Sequence, residues 1–153
     1  MIKCILPLAF VLTALLSTAQ ENDMDTLFKA IDQNDTTLVI QLIANGYDPN
    51  AIQHKGWVKI SPLILAVQKE NVVIVNLLIK KGANIDWQDG FKTTALMYAA
   101  ASGNEQIVKT LIEKGADVTL TDNQGNDALS AAKESKNEKV ISLIKNARKK
   151  KSK

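Results

Sequence analysis

His54, Cys4 and the oxygen-rich run from Asp122 to Asp127 are where chemistry would first be sought in this chain. Among 153 residues there is one histidine and one cysteine. That excludes an HExxH zinc helix, a His-rich metal cluster, a Cys-rich zinc site and a CxxC redox pair. The run Asp122-Asn123-Gln124-Gly125-Asn126-Asp127 has the oxygens of a calcium loop. Such a loop needs glycine at its sixth position and a bidentate glutamate at its twelfth. Counted from Asp122, those places hold Asp127 and Lys133. No glycine-rich segment follows an expected strand, so no phosphate cradle is indicated. Asn34-Asp35-Thr36 has the form of a glycosylation acceptor, a pattern that chance produces often. The chain is thus expected to be no enzyme: no catalytic residues, no metal ligands and no cofactor.

The elements that would carry any surface repeat along the chain. Leu27, Leu63, Leu96 and Leu129 are spaced 36, 33 and 33 residues apart, and Ala30, Ala66, Ala99 and Ala132 follow each by three. Leu38-Val39, Ile74-Val75, Ile107-Val108 and Val140-Ile141 recur in the same register, as do Leu42, Leu78, Leu111 and Ile144. A fixed period of this length is the signature of a repeat array. Each unit reads as two short helices. Ser61, Thr94 and Asp127 cap the first helix, Pro62 fits its first turn, and Asn71, Asn104 and Asn137 mark the break. Gly46, Gly82 and Gly115 end the second helix, where a left-handed residue needs no Cβ. A two-helix unit cannot bury its apolar face alone, so stability comes from stacking.

The amino end reads as an address. Met1-Ile2-Lys3 supplies charge, residues 4–12 carry none, and Ser17-Thr18-Ala19 supplies small residues before a cut. The apolar stretch is far shorter than the ~20 residues that span a bilayer. Residues 1–19 are expected to be a signal peptide, making the protein exported, periplasmic or secreted, with Gln20 as its mature start. Hydrophobic residues make up 46% and charged ones 23%, an ordinary globular composition. The net charge of +3 gives no sign of nucleic-acid binding. The charge is unevenly spread: 12 basic and 16 acidic residues lie between Gln20 and Ile144, a net −4, and six basic ones between Lys145 and Lys153.

Ser61-Pro62-Leu63-Ile64-Leu65-Ala66 and Thr94-Ala95-Leu96-Met97-Tyr98-Ala99 resemble the TPLHxA signature of ankyrin repeats. Gly82-Ala83-Asn84-Ile85-Asp86 and Gly115-Ala116-Asp117-Val118-Thr119 resemble its GADVN turn. The resemblance implies an all-α solenoid of stacked helix-turn-helix units with short β-hairpin turns. It spans residues 20–148 as four repeats, about 23–50, 51–86, 87–119 and 120–148, with 149–153 left as a basic tail. The polar first and last units look like caps, so four repeats are expected to be the full array. There are departures. Ile64, Met97 and Ser130 replace the signature histidine, Lys92 stands where a turn glycine is usual, and three extra residues lengthen the segment between Asn50 and Leu63.

The resemblance further implies a non-catalytic module that binds another protein through hairpin tips and the exposed side of the first helices. Carried onto this chain, those positions are Trp57, Val58, Ile60, Gln68 and Lys69 in the second unit, Phe91, Thr93, Ala101 and Ser102 in the third, and Asn123, Gln124, Asn126 and Glu134 in the fourth. Trp57 and Phe91 stand out, because interface anchors favour large rigid aromatics. Tyr98 is expected to pack rather than to make contact. The partner would be an exported enzyme or toxin that the protein inhibits, escorts or assembles, and the protein itself is expected to be monomeric. The competing expectation is an envelope-surface adaptor held by the C-terminal lysines, which attract an anionic surface at about 1 kcal/mol each.

Overall fold

In the computed structural model, residues 25–56 and 58–151 are described. The expected signal segment 1–19, the mature start at Gln20 and the aromatic Trp57 lie outside them. Four helix pairs follow one another: α1 (25–32) with α2 (Thr36–Ala44), α3 (Pro62–Gln68) with α4 (Val72–Lys80), α5 (Ala95–Ser102) with α6 (Glu105–Glu113), and α7 (Ala128–Ser135) with α8 (Glu138–Lys151). First helices pack on first helices of the next unit and second on second, so the pairs form a solenoid.

The caps explain why these segments are helical. Ser61, Thr94 and Asp127 accept the N–H of Ile64, Met97 and Ser130, satisfying donors that a helix start leaves open. Asn71, Asn104 and Asn137 are more than breaks between helices. Asn71 and Asn104 cap α4 and α6 by accepting the N–H of Ile74 and Ile107, and Asn137 accepts that of Lys139 at 3.1 Å. Gly46, Gly82 and Gly115 follow the second helices with φ of 92°, 89° and 94°. The fourth unit has Arg148 at that register, and α8 runs on to Lys151. Residues 149–151, expected as a tail, are therefore the last turn of a helix.

Burial follows the repeat. Leu27, Leu63, Leu96 and the four alanines at 30, 66, 99 and 132 are buried, as are Leu42, Leu78, Leu111 and Ile144. The small alanines let successive first helices approach closely. Leu129 is half-buried, with no further unit stacked on it among the described residues. Polar side chains also tie unit to unit. Asn50 Nδ2 donates to the Gly82 carbonyl at 2.9 Å, and its Oδ1 accepts the Asn84 N–H at 2.7 Å. Asp86 accepts the Asp117 N–H at 2.8 Å one repeat later. Asn71 donates to Thr36 at 3.0 Å, and Asn137 to the Gly103 carbonyl at 2.9 Å.

The departures have structural answers. The three extra residues convert what is elsewhere an isolated bridge (Gln88 with Thr94, Thr121 with Asp127) into a true antiparallel hairpin. Its strands are β1 (Gln53–Lys55) and β2 (Val58–Ile60), paired Gln53 to Ile60, His54 to Lys59 and Lys55 to Val58. Lys92 keeps the turn by adopting φ 60°, the left-handed conformation that Gly125 takes in the next hairpin. Ile64 and Met97, at the place of the signature histidine, are buried as apolar packing instead.

Candidate functional site

Hairpin tips and first helices line one side, and a groove there lies between the third and fourth units. Its volume is about 220 Å3, and its walls include Thr93, Met97, Tyr98, Gln124, Asn126 and Glu134. The two hairpins that frame it are built alike. Asp89 Oδ1 accepts the N–H of Phe91 at 2.8 Å and of Thr93 at 2.9 Å. Asp122 Oδ1 accepts those of Gln124 and Asn126, both at 2.8 Å. The oxygen-rich turn is thus a hairpin closed on its own carboxylate. Burial pushes the Asp122 carboxyl up, but the N–H groups of Asn126 and Gln124 outweigh it and hold the group below the usual range. Among the described residues, no group of three or more His, Cys, Asp or Glu side chains is placed to hold a metal ion.

Tyr98 lines the groove, and its hydroxyl donates to Asp89 Oδ2 at 2.8 Å. Its pKa is pushed up to about 12, first by burial, then by the hydrogen bond to Asp89 and that residue's charge, with the Gln68 side chain pulling the other way. Asp89 itself is only 8% exposed. Sequence reasoning left this pair unconnected. Its signal was a polar-tipped aromatic on the helix face where the second and fourth units carry Leu65 and Ala131.

The carried-over positions sort into three groups. Thr93, Gln124, Asn126, Ala101 and Glu134 come together around the groove, and Gln68 is exposed one unit before it. Phe91 and Val58 project at the hairpins, 62% and 43% exposed. The others are occupied. Ile60 is half-buried against the core. Lys69 pairs with Asp32 at 2.7 Å, tying the second unit to the first. The Ser102 hydroxyl turns back to the Ala99 carbonyl at 3.1 Å. The Asn123 N–H donates to the Phe91 carbonyl at 3.0 Å, fastening the third hairpin to the second.

The C-terminal cations are also partly committed. Arg148 pairs with Asp127, and the Lys151 ammonium lies 2.6 Å from Asp117 Oδ1. Lys151, with the Thr119 hydroxyl and N–H, holds the Asp117 carboxyl at about 2. Asp127 is also held low: burial raises it, but the Ser130 N–H and Arg148 prevail.

The chain matches the family of ankyrin repeats (three copies) over residues 27–122 and 63–153. It belongs to the ankyrin-repeat family, whose fold is a protein–protein interaction scaffold. It is 33% identical over 82 residues to the armadillo (Dasypus novemcinctus) "Ankyrin repeat, SAM and basic leucine zipper domain-containing protein 1", covering 54% of this chain and 16% of that one. It is 43% identical over 68 residues to the mouse (Mus musculus) "2-5A-dependent ribonuclease", covering 44% of this chain and 9% of the other. A "Putative ankyrin repeat protein FPV230" of Fowlpox virus (strain NVSL) is 38% identical over 69 residues, 45% of this chain and 35% of its own. The chain thus spans about a third or less of the length of these relatives.

Proposed function

We propose that this protein is an exported, non-catalytic binding module that grips another protein, an exported enzyme or toxin that it inhibits, escorts or assembles. One observation carries the reading. The groove gathers Thr93, Gln124, Asn126 and the carboxylates of Asp122, Asp127 and Glu134 around Met97 and Tyr98, and each framing hairpin is closed on its own carboxylate. A groove with apolar side chains and convergent polar groups is what recognition needs. Electrostatic adhesion through the lysines has less to act with, since Arg148 and Lys151 already pair internally. The protein acts as a monomer in the periplasm or outside the cell.

The test is capture of partners by the chain beginning at Gln20 from extracts of its own cells. A protein held through about 0.5 M salt, and lost with Gln124→Arg on the groove wall, supports the reading. Capture unaffected by Gln124→Arg but abolished by Val73→Arg on the outer face of α4 overturns it. Export has a separate measurement. Intact mass of material collected outside the cytoplasm should begin at Gln20, and a mass retaining Met1 refutes it.

A further inference from the structure

The first two hairpins have a charge character that the rest of the groove side lacks. From Ala51 to Lys69 the chain contains no acidic residue, and it carries His54 and Lys59 on the hairpin itself. His54 and Lys59 face each other across the ladder, so both side chains stand on one face of it, and both are exposed. Lys92, also exposed, holds the tip of the next hairpin. The carboxylate of that second hairpin does not face outward, because Asp89 is buried beneath the turn against Tyr98 and two N–H groups. The third tip is different: Asn123, Gln124 and Gly125 supply no cation, and its Asp122 carboxylate stays half-buried. Apolar surface lies near the basic charge: Val58 precedes Lys59 and stands on the other face of the ladder, and Phe91 precedes Lys92, both well exposed.

We infer that Val58 and Lys59 of the first hairpin, with Phe91 and Lys92 of the second, form a docking edge for an acidic segment of the partner protein, one that also carries aromatic or aliphatic side chains. The inference rests on the protein-binding reading above and assigns the chemistry of the partner. Charge complementarity supplies the argument. Lys59 and Lys92, with the Asp89 carboxylate turned inward, steer an acidic chain and fix its register, and Val58 and Phe91 give it apolar area to bury. The hairpin expansion matters because it carries His54 and Lys59 on a paired ladder instead of a single bridge.

The experiment selects short random peptides displayed on phage against the chain beginning at Gln20. Peptides enriched in Asp and Glu with an aromatic or branched residue are the expected outcome. Their affinity should fall about tenfold or more in Lys59→Glu with Lys92→Glu, fall less in the paired Gln substitutions, and weaken with salt. The melting temperature of these variants should stay at that of the parent, because both side chains are exposed. Peptides without acidic bias that bind through Gln124 and ignore the charge reversal overturn this inference and leave the protein-binding reading standing. Peptides indifferent to both surfaces, or no enrichment at all, overturn both. A single-stranded oligonucleotide bound with the same dependence on Lys59 and Lys92, and displacing the peptides, overturns the inference in favour of a general polyanion site.

Discussion

Tyr98 and Asp89 form a strut across the third repeat: the phenol hydroxyl reaches Asp89 Oδ2 at 2.8 Å while Oδ1 accepts the Phe91 and Thr93 N–H groups. The carboxylate therefore joins the first helix of the unit to its hairpin. Tyr98→Phe removes one donor and leaves a buried carboxylate oxygen under-satisfied, which costs about 1–3 kcal/mol. Denaturant unfolding of the purified variant measures it. An unchanged midpoint would mean that water replaces the phenol without penalty.

The stack between units should behave as a close-packed core. Leu111 is 0% exposed and lies in the helix-to-helix seam. Leu111→Ala should cost ~2–5 kcal/mol. Val73→Ala, on the exposed outer face of α4, should cost well under 1 kcal/mol. Comparable losses for the two would show that the helical register is wrong.

Left-handed residues between the paired helices give a test of opposite signs. Asn34, Glu70, Gly103 and Lys136 occupy one register, with φ between 55° and 73°. Glu70→Gly relieves the ~1–2 kcal/mol cost of a Cβ in that conformation and loses ~0.5–1 kcal/mol to glycine's freedom, for a modest net gain. Gly103→Ala should destabilise, because its φ of 73° strains any side chain and the new Cβ gains only an ordinary contact with Ser135 Cβ at 3.4 Å. Thermal melts of both should move in opposite directions.

Much of this architecture was legible because it is local. Caps, helix-ending glycines and buried leucines repeat at a short period, and each depends on neighbours within a few residues. The strut from Asp89 to Tyr98 was hidden because sequence position does not say where a hairpin carboxylate turns. The pairs of Arg148 with Asp127 and Lys151 with Asp117 join residues 21 and 34 apart, and charge counting alone placed Lys151 in a tail. The continued helix did have a signal: Arg148 in place of the glycine at 46, 82 and 115. Ile60 and Lys69 stood at contact positions of the repeat, yet the core and Asp32 already hold them.

The pairing of Lys151 with Asp117 predicts an acid-dependent contribution to stability. Lys151 and the Thr119 donors hold the folded-state carboxyl at about 2, below its ordinary 3.8. The folded state thus binds this proton less readily than the unfolded chain. Its contribution is complete above the ordinary value and disappears as pH falls through about 2. Lys151→Ala should flatten the decline in melting temperature between those two limits and lower stability slightly at neutral pH, since the pair is half open to water. An acid limb identical to that of the parent would show that Lys151 does not hold Asp117.

Phe91 provides the sharpest separation of binding from folding. Its ring is 62% exposed, whereas its backbone is fixed by Asp89 on one side and by the Asn123 N–H on the other. Phe91→Ala therefore removes apolar area at the hairpin tip and leaves both backbone bonds in place. Stability should change by no more than ~0.5 kcal/mol, as for an ordinary surface site. Partner affinity should fall by ~2 kcal/mol or more if the ring is an interface anchor. Adding Trp57→Ala, the other aromatic expected at these tips, should deepen the loss of affinity. Melting temperature and affinity must be measured on the same preparations. A lowered melting temperature with unchanged affinity in the folded fraction would identify the rings as plugs over their own hairpins, and the docking edge would have to be sought elsewhere.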